Sequence, residues 1–192
     1  MSPHEPSPGV LSRILTGGSA SLRLGALALA VALLAILVVP RLLRASLPEP
    51  LKSFDISTAA PRAVEENTAV AIERDYAHAW QSLAAALENN RSEQLDAGFA
   101  GAALAHFQQA IRSQQETGLS RRIVDHGHKV QVIFYSRDGS ALQATDAADL
   151  EIQYRDGSRL LSSERIEEHY LVLLTPAENS WKVRSLEEIE AH

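Results

Sequence analysis

The sequence predicts an α+β protein, with an N-terminal transmembrane helix followed by one domain of helices packed on a curved four-stranded antiparallel sheet. Three observations predict this class. One apolar run near the N-terminus is long enough to cross a bilayer. The middle of the chain repeats apolar residues at helical spacing, and the last third alternates apolar and polar residues between Asp-Gly turns. Helices first and a meander of strands after them is an α+β order.

The apolar run from Leu24 to Pro40 contains neither charged nor strongly polar side chains. With the two leucines beyond Arg41 it predicts a membrane span over residues 24–43, because about 20 residues of helix match the ~30 Å hydrocarbon core. The alternative is a cleaved signal peptide. Its cleavage site would need small residues where Arg44 stands, so an uncleaved single-pass anchor in the cell membrane is favoured.

The rest of the chain divides by composition. Residues 1–23, rich in Ser, Pro, Gly and His, are expected to form a disordered tail, and the proline-containing residues 44–61 a spacer. Residues 62–192 then form one domain of ordinary size. The basic residues that flank the span are nearly equal in number on its two sides, so they do not decide the membrane orientation.

Charge and cysteine content exclude several function classes. The whole chain carries a net charge of -6, and its only acidic residue before position 45 is Glu5, so the part after the span is strongly acidic. Nucleic-acid binding is excluded, because its affinity comes from neutralising phosphates. The absence of cysteine excludes a disulfide scaffold, a thiolate zinc site and a cysteine nucleophile.

Two helical segments precede the strands. The first lies within residues 62–89, where apolar side chains recur at intervals of three and four, namely Ile72, Tyr76, Trp80, Leu83 and Leu87. The second follows Ser92 and ends at Gly118, and Gly98 and Gly101 are expected to break or narrow this helix.

Four strands are predicted at 130–135, 150–154, 170–174 and 181–184, with Asp-Gly turns after the first two. Alternation predicts which of their side chains point towards the helices, and these are Leu150, Ile152, Tyr154, Leu171, Leu173, Trp181 and Val183. None of them is acidic, so a general base inside the fold is not expected. No catalytic or cofactor-binding residue is assigned, and a pocket would be lined by Tyr76, His106, Tyr154 and Trp181.

The segment Asp125-His126-Gly127-His128 raises the question of a metal site. Two imidazoles and a carboxylate lie within four residues, and on a strand His126 and His128 would share a face. Gly127 instead favours a turn, so the preferred interpretation is an exposed connection between helix and strand with solvated histidines. The acidic runs at 164–169 and 187–190 are interpreted as solvated surfaces, with a contact face for a basic partner as the alternative.

The long helix with Tyr76 and Trp80, the segment Ala97-Gly98-Phe99-Ala100-Gly101 and the closing strand pair resemble the NTF2-like (cystatin-like) superfamily over about 130 residues. Among anchored members the chain is similar to the C-terminal domains of cyanobacterial and chloroplast division accessory proteins. Its layout also resembles type IV secretion inner-membrane scaffold subunits and Mce-associated membrane proteins. The resemblance implies a cone of helices on a curved sheet, and an extracytoplasmic domain that binds another protein. The chain lacks the large N-terminal cytoplasmic region of the division proteins.

Two functions follow from these expectations. The first is a membrane-anchored, non-enzymatic interaction domain, a scaffold or assembly factor that contacts the lipid bilayer through its anchor and an unidentified protein through its sheet. The alternative is an anchored ligand-binding or enzymatic domain with a small-molecule pocket. Formation of a homodimer through the sheet is compatible with both.

Overall fold

A computed structural model describes residues 51–190 of the protein. The predicted tail at 1–23, the predicted span at 24–43 and the first residues of the predicted spacer lie outside the described residues. Within residues 51–190, no helix combines the length and the hydropathy needed to cross a membrane.

The described chain contains two α-helices, one 3-10 helix and one mixed sheet. The helices are α1 (Glu66–Asn89), the 3-10 helix (Ser92–Ala97) and α2 (Gly101–Thr117). The strands are β1 (Ser53–Asp55), β2 (Ala60–Pro61), β3 (Ser120–Tyr135), β4 (Leu142–Asp156), β5 (Arg159–Pro176) and β6 (Trp181–Glu188). The sheet order is β1-β3-β4-β5-β6, and β2 also pairs with β3. The α+β class is confirmed.

The prediction of a four-stranded sheet was incomplete. The antiparallel meander β3-β4-β5-β6 is present, but β1 and β2 add two short parallel strands to the outer edge of β3. Both come from the segment predicted as a spacer, and the Thr58 hydroxyl between them donates to the Val132 carbonyl at 2.8 Å. Strands of three and two residues are too short to show an alternating pattern, so sequence periodicity cannot detect them.

The helices follow the predicted pattern. All five apolar residues that predicted α1 are buried against the sheet. The glycines interrupt the second segment as predicted, since a 3-10 helix precedes Gly98 and α2 begins at Gly101. Gly98 has a further role, because a Cβ at this position would lie 2.4 Å from the Ala79 Cα on α1. The glycine therefore lets the loop approach the helix backbone closely.

The strands are longer than predicted, and one register was wrong. β3 begins at Ser120 instead of 130, and β5 at Arg159 instead of 170. On β5 the buried side chains are Val172 and Leu174, not Leu171 and Leu173. Every residue from 170 to 174 is apolar, so the pattern does not tell which face is inside, and a shift of one residue exchanges the two faces.

The outer edge of β5 is only partly covered. β6 pairs with β5 from Tyr170 to Pro176. Among residues 51–190, no strand pairs with the outer edge of β5 between residues 159 and 168. This ten-residue segment is called the open edge below. It begins at the β4–β5 turn, where Leu160 and Leu161 are exposed.

Candidate ligand-binding cavity and buried polar cluster

A cavity of about 380 Å³ lies between the two α-helices and the concave face of the sheet. Its volume falls in the ~300–1,000 Å³ range of small-molecule sites. α1 and α2 supply one wall and strands β3 to β6 the other. The apolar part of the lining includes Leu83, Leu87, Phe107, Ile123, Leu150 and Ile152.

Two of the four residues predicted to line a pocket lie in the wall of this cavity, and two do not. His106 and Tyr154 lie in the wall of this cavity. Tyr76 is fully buried in the core and is not part of the lining. Trp181 also lies outside the lining. Its ring centroid is 6.4 Å from that of Tyr135, and its backbone N–H donates to Asp75 Oδ2 at 2.7 Å.

One end of the cavity carries two carboxyl groups. Glu188 on β6 is directly opposite Tyr170 on β5, and Glu168 precedes Tyr170 by two residues on the same face. Burial and the neighbouring Glu188 carboxylate raise the pKa of Glu168. Burial and the two carboxylates also raise the pKa of the Tyr170 hydroxyl, so this phenol stays protonated. These three side chains are called the acidic end below.

The acidic end overturns the expectation that no acidic residue faces the helices. That expectation rested on the wrong register of residues 170–174, and it stopped short of Glu168 because the strand was expected to start at 170. Among residues 51–190, neither Glu168 nor Glu188 forms a salt bridge.

The opposite end of the cavity carries a cation. Arg121 on β3 pairs with Tyr154 on β4, and its guanidinium carbon lies 5.6 Å from the centre of the Tyr154 ring. Tyr154 is six residues along β4 from Ala148, which pairs with Glu168. At ~3.3 Å per residue the two ends are about 20 Å apart, too far for Arg121 to pair with the carboxylates. The cavity is therefore polarised, with an apolar middle.

A buried polar cluster lies beside the cavity and consists of Tyr76, His128 and Asp146. The Tyr76 hydroxyl donates to Asp146 Oδ2 at 2.6 Å, and His128 Nδ1 lies 2.8 Å from the same oxygen. Each of the three residues is only 1% exposed. The second imidazole nitrogen, Nε2, is 3.2 Å from Asp125 Oδ2 but lacks a well-aligned hydrogen bond.

His128 is positively charged at neutral pH. Burial by itself lowers the pKa of this imidazole, but its close contacts with the carboxylates of Asp125 and Asp146 outweigh burial and raise the pKa to about 9. Burial and the adjacent Asp146 carboxylate raise the pKa of the Tyr76 hydroxyl well above its ordinary value, so Tyr76 remains a donor. The Trp80 ring, which lines the cavity, is 4.5 Å from the His128 ring, which does not. The imidazole therefore contacts a residue of the cavity wall and is not itself part of that wall.

The preferred interpretation of Asp125-His126-Gly127-His128 as an exposed connection was wrong. The four residues lie inside β3, where a bulge between Asp125 and Gly127 adds one residue to the strand. Gly127 has a φ of 128°, which favours glycine. The bulge separates the histidines, so that His126 lies 3.5 Å from Glu151 while His128 is buried. In residues 51–190, no three His, Asp or Glu side chains are grouped to hold a metal ion.

The sequence of β4 contains a signal for the buried cluster. Leu142, Ala144, Ala148 and Leu150 lie on one face of β4, and Asp146 occupies the middle of this apolar series. An acidic residue in phase with an apolar strand face must be paired when it is buried. His128 and Tyr76 are its partners, 18 and 70 residues away in the chain.

Comparisons with known proteins find likeness in structure alone. No family model matches the chain, and no curated protein matches its sequence. The intermembrane space region of the chloroplast protein ARC6 superposes with a TM-score of 0.55 at 14% identity, over 68% of this chain and 100% of that one. Aln2 from a Streptomyces species has a TM-score of 0.44 at 11% identity, covering 66% and 93%. ActVI-ORFA from Streptomyces coelicolor has 0.40 at 13%, covering 59% and 90%.

The likeness to ARC6 extends over the whole of that domain, but at this identity it shows the fold and nothing finer. A shared fold does not determine whether the chain binds or catalyses. The observed architecture, in which helices pack on the concave face of a curved, mainly antiparallel sheet, agrees with an NTF2-like fold. The part of the chain that the structure describes is a domain with an NTF2-like fold.

Proposed function

We propose that this chain is a membrane-tethered, non-enzymatic binding protein whose NTF2-like domain receives a small, mainly apolar ligand. The observation that carries the proposal is the 380 Å³ cavity, which has apolar walls and polar groups at its two ends. Such a combination supports binding, because apolar burial supplies affinity and a few polar groups fix the orientation. The tether is the apolar run at 24–43. We place the domain on the extracytoplasmic side, as the resemblance to anchored NTF2-like proteins implies.

The arrangement of the polar groups favours binding over catalysis. The buried cluster contains groups suited to proton transfer, but a general base must come within hydrogen-bond reach of the substrate. Tyr76, His128 and Asp146 are absent from the cavity lining, and each is only 1% exposed. We therefore assign the cluster a structural role.

Fluorescence tests the binding function, because the chain has two tryptophans and one of them lines the cavity. In the full-length Trp181→Phe variant, Trp80 is the sole tryptophan. We expect its emission to change saturably when a neutral aromatic alcohol such as phenylbutanol is added, since the ligand displaces water from the indole.

A pair of phenylalanine variants provides the control in this background. Ile152→Phe fills part of the cavity and should abolish the response, whereas Ile133→Phe changes an exposed residue outside the cavity and should preserve it. The absence of any saturable response, or an equal response in both variants, would rule out binding in the cavity.

A second candidate function is protein interaction at the open edge of β5. Its unpaired backbone groups can accept another strand, and its exposed leucines add apolar surface. Glu164 and Glu167 on the open edge and Glu187 on the adjoining end of β6 lie outside the cavity lining, and the two arginines of this edge, Arg159 and Arg165, are already paired with Asp156 and Asp149. Charge complementarity therefore points to an extended basic segment of a partner protein as the occupant.

Co-purification after gentle solubilisation tests this second function. We expect a stoichiometric partner that is lost from the Leu160→Lys/Leu161→Lys double variant, because like charge and lost apolar contact both oppose docking of a basic segment. Ile133→Lys, a similar change at another exposed strand position, should retain the partner. Recovery of the bare protein, or of a homodimer whose mass does not change in the double variant, would contradict it.

A further inference from the structure

The acidic end of the cavity determines which ligands it accepts. We infer that the ligand is a small organic cation, an amine attached to an apolar body, whose ammonium group binds between Glu168, Glu188 and the aromatic rings of Tyr170 and Trp80. This inference rests on the proposed binding function. It adds the charge of the ligand and its orientation in the cavity.

The first argument is the lack of a counter-ion. Glu168 is partly buried, and placing a carboxylate away from water is costly unless a cation or donors compensate it. Arg121, the nearest cation in the lining, belongs to the opposite end. An ammonium group between the two carboxylates would supply the missing charge and form charge-assisted hydrogen bonds. Burial and then the neighbouring Glu188 carboxylate raise the pKa of Glu168, in agreement with this lack of compensation.

The second argument is the aromatic surface at the same end. The Trp80 and Tyr170 rings are 5.8 Å apart and inclined at 52° to each other, and both line the cavity. Aromatic faces attract ammonium groups, and tryptophan does so most strongly. The Tyr170 phenol is close enough to Glu168 and Glu188 to be influenced by both charges. Carboxylates and ring faces thus converge on one region.

The third argument is the shape of the remaining cavity. Leu150, Ile152 and Ile166 continue from the acidic end along β4 and β5, facing Leu83 and Leu87 of α1. These side chains offer no hydrogen bond, so the remainder of the ligand must be apolar. The ligand therefore lies with its amine at the acidic end and its apolar body directed towards Tyr154.

Three probes of similar size and different charge test the inference on the full-length Trp181→Phe protein. These are phenylbutylamine, phenylbutanol and phenylbutyrate, each titrated by Trp80 fluorescence and by calorimetry. We expect the amine to bind about tenfold more tightly than the alcohol, because its ammonium group forms charge-assisted hydrogen bonds with the carboxylates. Phenylbutyrate, whose carboxylate is repelled by both glutamates, should bind most weakly.

Glutamine variants show whether the carboxylates are responsible. The Glu168→Gln/Glu188→Gln double variant should lose most of the preference for the amine while binding the alcohol as before. Glu167→Gln is the matched control, because Glu167 adjoins Glu168 on β5 but points to the opposite face and is absent from the cavity lining. It should leave all three affinities unchanged.

The outcomes separate the inference from the function on which it rests. If the alcohol binds as tightly as the amine, or the acid binds best, the cation preference is wrong and the binding function stands. If the amine preference survives in the double glutamine variant, the acidic end is not its cause and the inference fails. If no probe binds, both proposals fail.

Discussion

Replacing Asp146 with alanine is expected to lower the free energy of unfolding by about 3–5 kcal/mol, the usual effect of removing one partner of a buried ion pair. Asp146 Oδ2 accepts hydrogen bonds from both Tyr76 and His128. Its removal leaves a buried phenol without an acceptor and a buried imidazolium without its nearest counter-ion. Thermal unfolding followed by near-ultraviolet circular dichroism on the full-length protein measures the loss.

The pH dependence of stability gives this variant a second readout. The pKa of His128 is raised in the folded protein to about 9, above its ordinary value of 6.5. The stabilisation is therefore fully present below pH 6.5 and is lost as the pH rises through about 9, since deprotonation removes the charge that the folded state favours. We expect wild-type stability to decline over this window. The decline should be much smaller in Asp146→Ala.

Two variants calibrate the Asp146 result. Tyr76→Phe removes one hydrogen bond from the same carboxylate and keeps the ion pair, so it should cost only about 1 kcal/mol. Asp156→Asn alters an exposed aspartate in the β4–β5 turn and should change stability by less than about 0.5 kcal/mol. If Asp146→Ala is no more destabilised than Asp156→Asn, the cluster does not stabilise the fold.

Replacing Gly98 with valine is expected to destabilise the domain by about 3 kcal/mol, at the upper end of the range for overpacking. The new Cβ would lie 2.4 Å from the Ala79 Cα and 2.6 Å from its Cβ. A helix backbone cannot move aside as a flexible side chain can, so the loop must shift. The same loop pairs with β6, where the Val183 N–H donates to the Gly98 carbonyl at 2.9 Å, so the shift would also disturb the sheet edge.

Gly157→Asn is the matched control for Gly98→Val. Gly157 has a φ of 57° in the exposed β4–β5 turn, and a Cβ there would meet nothing within 4 Å. Asparagine tolerates this left-handed conformation, so the change should stay within about 0.5 kcal/mol. Equal thermal midpoints for the two glycine variants would show that the fold does not depend on the close approach of Gly98 to Ala79.

Gly98 also illustrates what a sequence pattern leaves open. The pattern predicted correctly that Gly98 and Gly101 interrupt a helical stretch. The reason for glycine at position 98 is the approach of Ala79, 19 positions earlier in the chain. Propensity describes a residue and its neighbours along the chain, whereas this constraint exists only after the loop has packed on α1.

The candidate site also contains residues that the sequence pattern predicted and residues that it did not. Alternation along β4 placed Leu150, Ile152 and Tyr154 in the cavity wall, because one polar face and one apolar face give a clear period of two. It failed on β5, where residues 170–174 are all apolar and the register is set by pairing with β4 and β6. The acidic end depends on that pairing. Glu168 and Glu188 are neighbours because β6 pairs with β5 at Tyr170 and ends there.

The sequence by itself determined the α+β order, the face of α1 that is buried, and the turns at Gly139 and Gly157, since each depends on residues close together in the chain. The tertiary structure decided the parallel strands β1 and β2, the bulge that buries His128 and exposes part of His126, and the convergence of Tyr76, His128 and Asp146. These features join segments that are distant along the chain. Asp146 becomes a buried hydrogen-bond acceptor only when the folded sheet removes it from water, and Glu168 and Glu188 become one end of a cavity only when the pairing of β5 with β6 brings them together.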